Sequence, residues 1–329
     1  MLQLAKQLMT DRGIAEPTAM AYVKALAQLN GGKPFKNLAF LRNTEEIDKA
    51  VGTYAESTQR TLYATLVSVL GLVKSRAGYK APFTHYYTEL EKRTSEAKAT
   101  EAKNVKTAKQ AENWLSWETV MKRKGELAAE VATATKEGTA KSLTPAQFET
   151  LLSYVVLSLY TDIQPRRNAD YLQMYVVKRH TDKMPTTQNY YDLATQSFVF
   201  NAYKTAKKYG TQREELSEPL KATMALFLKY HPLWTGAAKR KADPVKLLVD
   251  AKGEPLTAVN AITRILNRIF GKKVGSSMLR HIFLSDKYGD TLTEMKKDSA
   301  AMGHSLELQK AYVKGDAAAP SQTAAESAH

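Results

Sequence analysis

The sequence predicts a mainly helical protein with one small antiparallel β-sheet. Two observations favour this fold class: apolar residues recur at helical spacing in several segments, and one stretch, 197–218, has the pattern of a β-hairpin. In that stretch Phe198-Val199-Phe200 is typical of a strand and Lys207-Lys208-Tyr209-Gly210 is typical of a turn. A hydrophobic content of 43% is sufficient to build the cores of such a fold.

Short helices account for the first hundred residues. Apolar residues recur at helical spacing in 18–29, which Asn30-Gly31-Gly32 should end, and again in 58–73. Residues 91–112 are instead rich in Lys, Glu, Ala and Thr, which indicates an exposed helical segment. We therefore expect a helical first domain at 1–100 and a basic linker at 101–112.

The second domain begins its main helix at Thr144-Pro145-Ala146-Gln147, where Thr, Pro and Gln form a capping-box pattern. The periodicity predicts further helices at about 219–230, 257–270, 277–288, 292–302 and 305–314. Ala and Ser dominate the residues that follow, which predicts a mobile tail. We place the second domain at 113–314 and the flexible tail at 315–329.

The net charge of +15 and the pI of about 9.6 favour an anionic partner. Nucleic acid is the leading candidate, because Lys and Arg displace counterions from phosphates. An anionic membrane is the alternative, but we find neither a basic amphipathic helix with Trp or Phe on its apolar face nor a bilayer-length apolar run. The absence of cysteine and of a secretory leader favours an intracellular location.

Five short motifs follow one another in the second domain. They are Pro165-Arg166-Arg167-Asn168-Ala169-Asp170-Tyr171, Tyr203-Lys204-Thr205, Met278-Leu279-Arg280-His281, Met302-Gly303-His304-Ser305 and Tyr312. Their order and spacing resemble the tyrosine recombinase (integrase) family over residues 140–314. The Pro-Arg-Arg form and the short interval from His304 to Tyr312 are similar to recombinases of large eukaryotic DNA viruses and related mobile elements.

The resemblance implies a core-binding-like first domain, a recombinase catalytic domain, and cutting and rejoining of DNA through a 3′-phosphotyrosine. Tyr312 would be the nucleophile, and Arg167 and Arg280 would bind the phosphate oxygens with their planar guanidinium groups. Lys204 would protonate the leaving 5′-oxygen, with Lys207 and Lys208 as alternatives, and His304 would hydrogen-bond a non-bridging oxygen.

We prefer Arg167 to Arg166 because Asp170, three residues on, could support its guanidinium from one helix face. The chemistry requires neither a cofactor nor ATP. With no cysteine and no ligand-like histidine spacing, we also expect no metal.

Two features differ from the usual family pattern: the residue at position 277 and the interval from His304 to Tyr312. Ser277 stands three residues before Arg280, where the family usually has His, and a hydroxyl cannot titrate near neutral pH. A base role at that position would then pass to His304. His281 follows the arginine as it often does in the family, where it is structural. The interval from His304 to Tyr312 is one residue shorter than the commonest version.

The resemblance also implies double-stranded DNA as partner, held between the two domains, and a tetramer in which each chain donates its C-terminal helix to a neighbour. Arg166, Lys207, Lys208 and the linker cations would contact phosphates. The linker cations are Lys92, Arg93, Lys98, Lys103, Lys106 and Lys109. Alternatives are a type IB topoisomerase, a hairpin telomere resolvase and a non-catalytic DNA-binding relative. The location would follow the target DNA: a prokaryotic cytoplasm, or a nucleus or virus factory.

Overall fold

The computed structural model describes residues 2–234 and 244–312, so the predicted tail at 315–329 lies outside the described residues. The chain divides into two compact units, Met1–Lys106 and Thr107–His329. The division falls within the stretch that the sequence predicts as a linker, 101–112. Helices make up about 60% of the structure, which confirms the mainly helical class.

The first unit is a helical bundle around one apolar core. Leu8, Leu26, Leu41, Leu66 and Tyr86 are fully buried in it. The helices predicted at 18–29 and 58–73 are confirmed with bounds shifted by a few residues. The helices are α1 (Leu2–Arg12), α2 (Glu16–Leu29), α3 (Thr44–Gly52), α4 (Glu56–Leu70) and α5 (Lys80–Ala102), with a short 3-10 helix at Ala39–Arg42.

Helix α5 has two different halves. Its first turns contribute Pro82 and Tyr86 to the core, whereas no residue from 87 to 102 is buried. This matches the polar composition from which an exposed helix is expected at 91–112. Because apolar burial is the main stabilising term of such a helix, the second half depends on its connection to the packed first half and on polar contacts such as that of Arg93 with Gln59.

The second unit is built around α8 (Pro145–Thr161), whose middle is buried almost all round. The predicted capping box is present: Thr144 Oγ1 accepts from the Gln147 backbone N–H and Gln147 Oε1 accepts from the Thr144 N–H. Within the described part of this unit, the remaining helices are α6 (Ala108–Asn113), α7 (Trp117–Ala134), α9 (Asn168–Leu172), α10 (Ala206–Tyr209), α11 (Glu218–Tyr230), α12 (Ala261–Phe270), α13 (Ser276–Ala301) and α14 (Leu306–Tyr312).

A small sheet lies beside these helices, and it is mixed rather than antiparallel as predicted. The predicted hairpin is present, with Phe198 opposite Glu214, but two strands before it were not foreseen. They run parallel to each other because the connection from 178 to 188 returns the chain to the same end of the sheet. The strand order is β4-β3-β2-β1-β5, with β1 (Met174–Val177), β2 (Asn189–Asp192), β3 (Ser197–Phe200), β4 (Gln212–Glu215) and β5 (Val245–Lys246).

Helix α13 replaces the two helices predicted at 277–288 and 292–302. The prediction was wrong because Gly289-Asp290 has the composition of a helix break, yet the backbone continues through it as one helix to Ala301. A glycine inside a helix costs about 1 kcal/mol relative to alanine, which is too little to end a long helix. Among the described residues, no helix is both long and apolar enough to cross a bilayer.

Candidate active site

A buried hydrogen-bond network joins four elements of the second unit at the candidate site. The Tyr160 hydroxyl, at the end of α8, donates to Asn168 Oδ1 at 2.8 Å, and Asn168 Nδ2 donates to Thr263 Oγ1 on α12 at 3.0 Å. The Ser276 side chain, at the start of α13, also hydrogen-bonds Tyr160. Tyr160 is fully buried, so its polar atom needs these partners. The network therefore fixes the starts of α9 and α13 relative to α8.

Arg167 and Arg280 are each adjacent to this network. Arg167 immediately precedes Asn168, and Arg280 follows Ser276 by one helical turn. Burial raises the pKa of the Tyr160 phenol well above its ordinary value, and the nearby positive charge of Arg280 acts in the opposite direction. Arg167 is exposed and Arg280 is half-buried. The structure thus brings these two predicted phosphate-binding residues to one region of the unit.

Asp170 supports Arg166 and not Arg167, contrary to the prediction. Arg166 Nε donates to Asp170 Oδ2 at 3.1 Å, whereas Arg167 is the N-cap of α9 with an extended backbone. Arg166 and Asp170 are four residues apart, and a spacing of four lets two side chains meet as well as a spacing of three does, so spacing alone does not choose between the two arginines. Burial raises the pKa of Asp170, and both arginines oppose that shift.

Arg166 is enclosed by its own unit, so the DNA contact predicted for it is not supported. Its side chain is only 17% exposed, and its Nη1 donates to Gln212 Oε1 on β4 at 3.0 Å. The guanidinium carbon also lies 3.7 Å from the centre of the Phe200 ring. These contacts connect the start of α9 to the β3–β4 hairpin, so Arg166 positions its neighbours.

The loop between β3 and β4 carries Lys204 and contacts Arg166 through Tyr203. Tyr203 anchors the loop: its hydroxyl donates to the Gly210 carbonyl at 2.7 Å and its ring centre lies 5.2 Å from the Arg166 guanidinium. Lys204, next to Tyr203, is exposed. Lys207 and Lys208 are exposed on the single turn α10, where the sequence predicted a turn.

The loop that carries the arginines has a second support that the sequence did not reveal. Lys124 on α7 forms an ion pair with Asp162 at the end of α8, and the two side chains are 12% and 8% exposed. Asp162 begins the segment that leads to Arg166 and Arg167. No local pattern signals this pair, because 38 residues separate its members.

His304 and Tyr312 form a separate group at the other end of α13. The His304 backbone N–H donates to the Ser299 carbonyl, and the ring centres of His304 and Tyr312 lie 5.6 Å apart. The Tyr312 side chain is 63% exposed. From Arg280 to Ser299 the helix rises by about 28 Å, at about 1.5 Å per residue. Within one chain, the structure does not bring Tyr312 to the arginines.

Ser277 and His281 both lie on the exposed side of α13, close to Arg280 in sequence. His281 was expected to have a structural role, and its exposure gives no sign of packing. Ser277 is also exposed, so its hydroxyl is accessible. The described residues contain no group of three or more His, Asp or Glu side chains that could hold a metal ion.

Comparisons of the chain with family models, with curated proteins and with solved structures gave no match.

Proposed function

We propose that this protein is a site-specific DNA recombinase that cuts and rejoins strands through a 3′-phosphotyrosine. The observation that carries the proposal is the Tyr160 network, which gathers Arg167 and Arg280 in one region. Two guanidinium groups at one place can bind the non-bridging oxygens of a phosphodiester and stabilise charge on a pentacoordinate phosphorus. Lys204, on the neighbouring loop, supplies an exposed proton donor.

The proposed step is balanced without an external energy source. The Tyr312 phenol gives its proton to His304 and its oxygen attacks the phosphorus. The bond from phosphorus to the 5′-oxygen breaks, and Lys204 gives a proton to the leaving oxygen. His304 hydrogen-bonds a non-bridging oxygen. The ester bond to Tyr312 preserves the bond energy, so a 5′-hydroxyl can reverse the step and rejoin a strand.

The nucleophile must come from elsewhere, because Tyr312 lies far from the arginines of its own chain. We propose that Tyr312 enters the arginine site of a second copy, in an oligomer on DNA such as a tetramer. The segment from Leu284 to Tyr312 is suited to this, since it carries exposed Leu284, Tyr288, Met302 and Leu308 as well as Tyr312. Adjacent exposed apolar side chains, such as Leu284 and Tyr288 one helical turn apart, are typical of contact surfaces.

A nicked duplex substrate tests the covalent step. When the short 5′-fragment diffuses away after cleavage, the phosphotyrosine adduct accumulates and is seen as a slower band on a denaturing gel. We expect an adduct with the unmodified chain and none with Tyr312→Phe. Tyr54→Phe, which changes an exposed tyrosine between α3 and α4, is the matched control and should form the adduct. An adduct that persists in Tyr312→Phe would overturn the nucleophile assignment.

Three further outcomes separate the alternatives. Relaxation of a supercoiled plasmid that lacks a target site would favour a type IB topoisomerase, and closed hairpin ends on a linear product would favour a telomere resolvase. DNA binding without any adduct on any substrate would favour the non-catalytic relative, a reading consistent with the separation of Tyr312 from the arginines.

A further inference from the structure

The positive charge of the first unit comes largely from two stretches that contain no Asp or Glu, 17–44 and 57–88. The 32 residues from 57 to 88 contain no Asp or Glu, and they carry Arg60, Lys74, Arg76 and Lys80. Residues 89–103, where the linker cations begin, are electrically neutral. There the four cations Lys92, Arg93, Lys98 and Lys103 are matched by the four carboxylates Glu89, Glu91, Glu96 and Glu101.

The connection between α4 and α5 brings several of these cations together. Lys74, Arg76 and Lys80 are all exposed there. Arg42, from the end of the 3-10 helix, joins them: its Nη2 donates to the Ala77 carbonyl at 3.3 Å and its guanidinium carbon lies 4.2 Å from the centre of the Tyr79 ring. We call this set of four, Arg42, Lys74, Arg76 and Lys80, the cationic corner.

Gly78 allows Arg42 to lie this close to the connection. Its φ is +81°, a conformation that favours glycine, and a Cβ added there would lie 3.2 Å from the Arg42 guanidinium carbon. Tyr79, beneath that guanidinium, is buried. Arg42 is therefore held in place by packing while its side chain stays exposed, so little of its freedom remains to be lost on binding.

The cationic corner also lacks the internal ion pairs that occupy other cations of this unit. Within residues 2–234 and 244–312, none of its four members forms a salt bridge with a carboxylate. Arg93, predicted to contact DNA, is instead paired with Glu89 and hydrogen-bonded to Gln59. All four charges of the corner are thus available to an anionic partner.

We infer that the cationic corner is the surface by which the first unit binds the phosphate backbone of duplex DNA. This inference rests on the proposed function for its choice of DNA as the partner. Duplex DNA carries a negative charge about every 1.7 Å along its axis, so several phosphates can meet four clustered cations at once. The contacts would position the chain and would not read the base sequence.

The test compares two triple variants that remove the same charge. Lys74→Gln/Arg76→Gln/Lys80→Gln alters the corner, and Lys92→Gln/Lys98→Gln/Lys103→Gln alters the second half of α5. Both are made in full-length Tyr312→Phe, so that binding is measured without cleavage. Fluorescence anisotropy of a labelled 30-base-pair duplex at several salt concentrations gives the affinity and its salt dependence.

We expect the corner variant to lose at least about tenfold in affinity near 0.1 M salt, and its log–log salt slope to fall by about 2 to 3, because each lost phosphate contact removes about 0.9. The control should change the slope by less than about 1. Equal effects, or a larger effect in the control, would overturn the inference. Thermal melting by circular dichroism, which should be alike for both, confirms that the proteins are folded.

A third variant and a second ligand sharpen the result. Gly78→Ala keeps every charge but displaces Arg42, and we expect it to weaken DNA binding by a few-fold. Binding to phosphatidylserine and phosphatidylcholine vesicles is measured in parallel. Loss of vesicle binding in the corner variant, with its DNA salt slope unchanged, would assign the corner to a membrane and refute the inference. Adduct formation by the chain without Tyr312→Phe reports on the proposed function separately.

Discussion

The first two turns of α13 and its last four turns belong to one helix but have different surroundings. Ser276, Leu279 and Ile282 are buried, and the Phe283 ring packs edge-on against Trp117 at 5.3 Å. Beyond that point Ser299 is the one buried residue of the helix. The packed end fixes Arg280, whereas the exposed end carries His304 and Tyr312. Motifs that are close in sequence can therefore be split into a fixed phosphate-binding part and a nucleophile held apart from it.

The largest effect is expected at the packed end. Arg280→Ala should slow adduct formation on the nicked duplex by at least about a hundredfold, because it removes preorganised donors to the phosphate. DNA affinity should change by only a few-fold. Lys287→Ala, which removes an exposed cation two turns further along the same helix, is the control and should remain active. Activity of Arg280→Ala within a few-fold of the unmodified chain would contradict the role of the packed end.

Mixing two inactive variants tests whether the two ends act in different chains. Tyr312→Phe keeps the arginines and Arg280→Ala keeps the tyrosine, so a shared site would combine an intact set from two copies. We expect neither variant alone to form an adduct, and their mixture to recover a readily detected fraction of it. A mixture that stays inactive, while each variant still binds DNA, would show that Tyr312 must reach the arginines of its own chain.

Tyr160→Phe should have an intermediate effect. It leaves Asn168 Oδ1 without the donor that Tyr160 provides, which should destabilise the second unit by about 1–3 kcal/mol. Adduct formation should slow by up to about tenfold at unchanged DNA affinity. One hydrogen bond that positions the arginines contributes up to about 1.4 kcal/mol to the activation free energy, which corresponds to a factor of about ten. Urea unfolding and adduct kinetics are measured together. A stability loss with no kinetic effect would mean that the network supports the fold alone.

A smaller, pH-dependent effect is expected in the core of the second unit. His231 is buried, and burial lowers its pKa; its Nε2 donates to the Leu247 carbonyl while Nδ1 accepts from the Leu233 and Trp234 N–H groups. As the pH falls, the His231 imidazole is therefore protonated at a higher pH in the unfolded chain than in the folded chain. The stability contribution is therefore complete above the ordinary pKa of about 6.5 and is lost as the pH falls below it.

Urea unfolding at pH 7.5 and pH 5.5 checks this. We expect the unmodified chain to lose about 1 kcal/mol more than His231→Asn between the two pH values. His281→Gln, which changes an exposed histidine on α13, should show the same pH dependence as the unmodified chain. If His281→Gln reduced the pH-dependent loss of stability and His231→Asn did not, the assignment of the pH effect to His231 would be contradicted.

The smallest effect tests the continuity of α13. Gly289 lies in the helix with open space where a Cβ would be, so Gly289→Ala should stabilise the helix by about 0.5–1 kcal/mol. If the exposed end acts as a straight helix, the rate of adduct formation by Gly289→Ala should stay within about twofold of that of the unmodified chain. A loss of more than tenfold would show that the helix must bend at Gly289 for Tyr312 to reach a phosphate.

The elements with strong local signals were predicted well. The capping box at Thr144 and Gln147, the periodic helix 58–73 and the 197–218 hairpin all appear, because their determinants lie within a few residues of one another. The strands at 174–177 and 189–192 were missed, since each is only four residues long and gains its pairing from a distant segment. The same limit applies to Lys124 and Asp162, whose ion pair joins residues far apart in sequence.

The sequence by itself determined the composition of the candidate site: two arginines, a lysine, a histidine and a tyrosine in a fixed order, on a strongly basic chain. Only the tertiary structure decided which arginine Asp170 holds, because spacings of three and four residues both let side chains meet, and the Gln212 and Phe200 contacts of Arg166 come from strands distant in sequence. It also decided that Tyr312 stands apart from Arg280, since the continuity of α13 depends on one glycine whose helical cost is too small to be read from sequence.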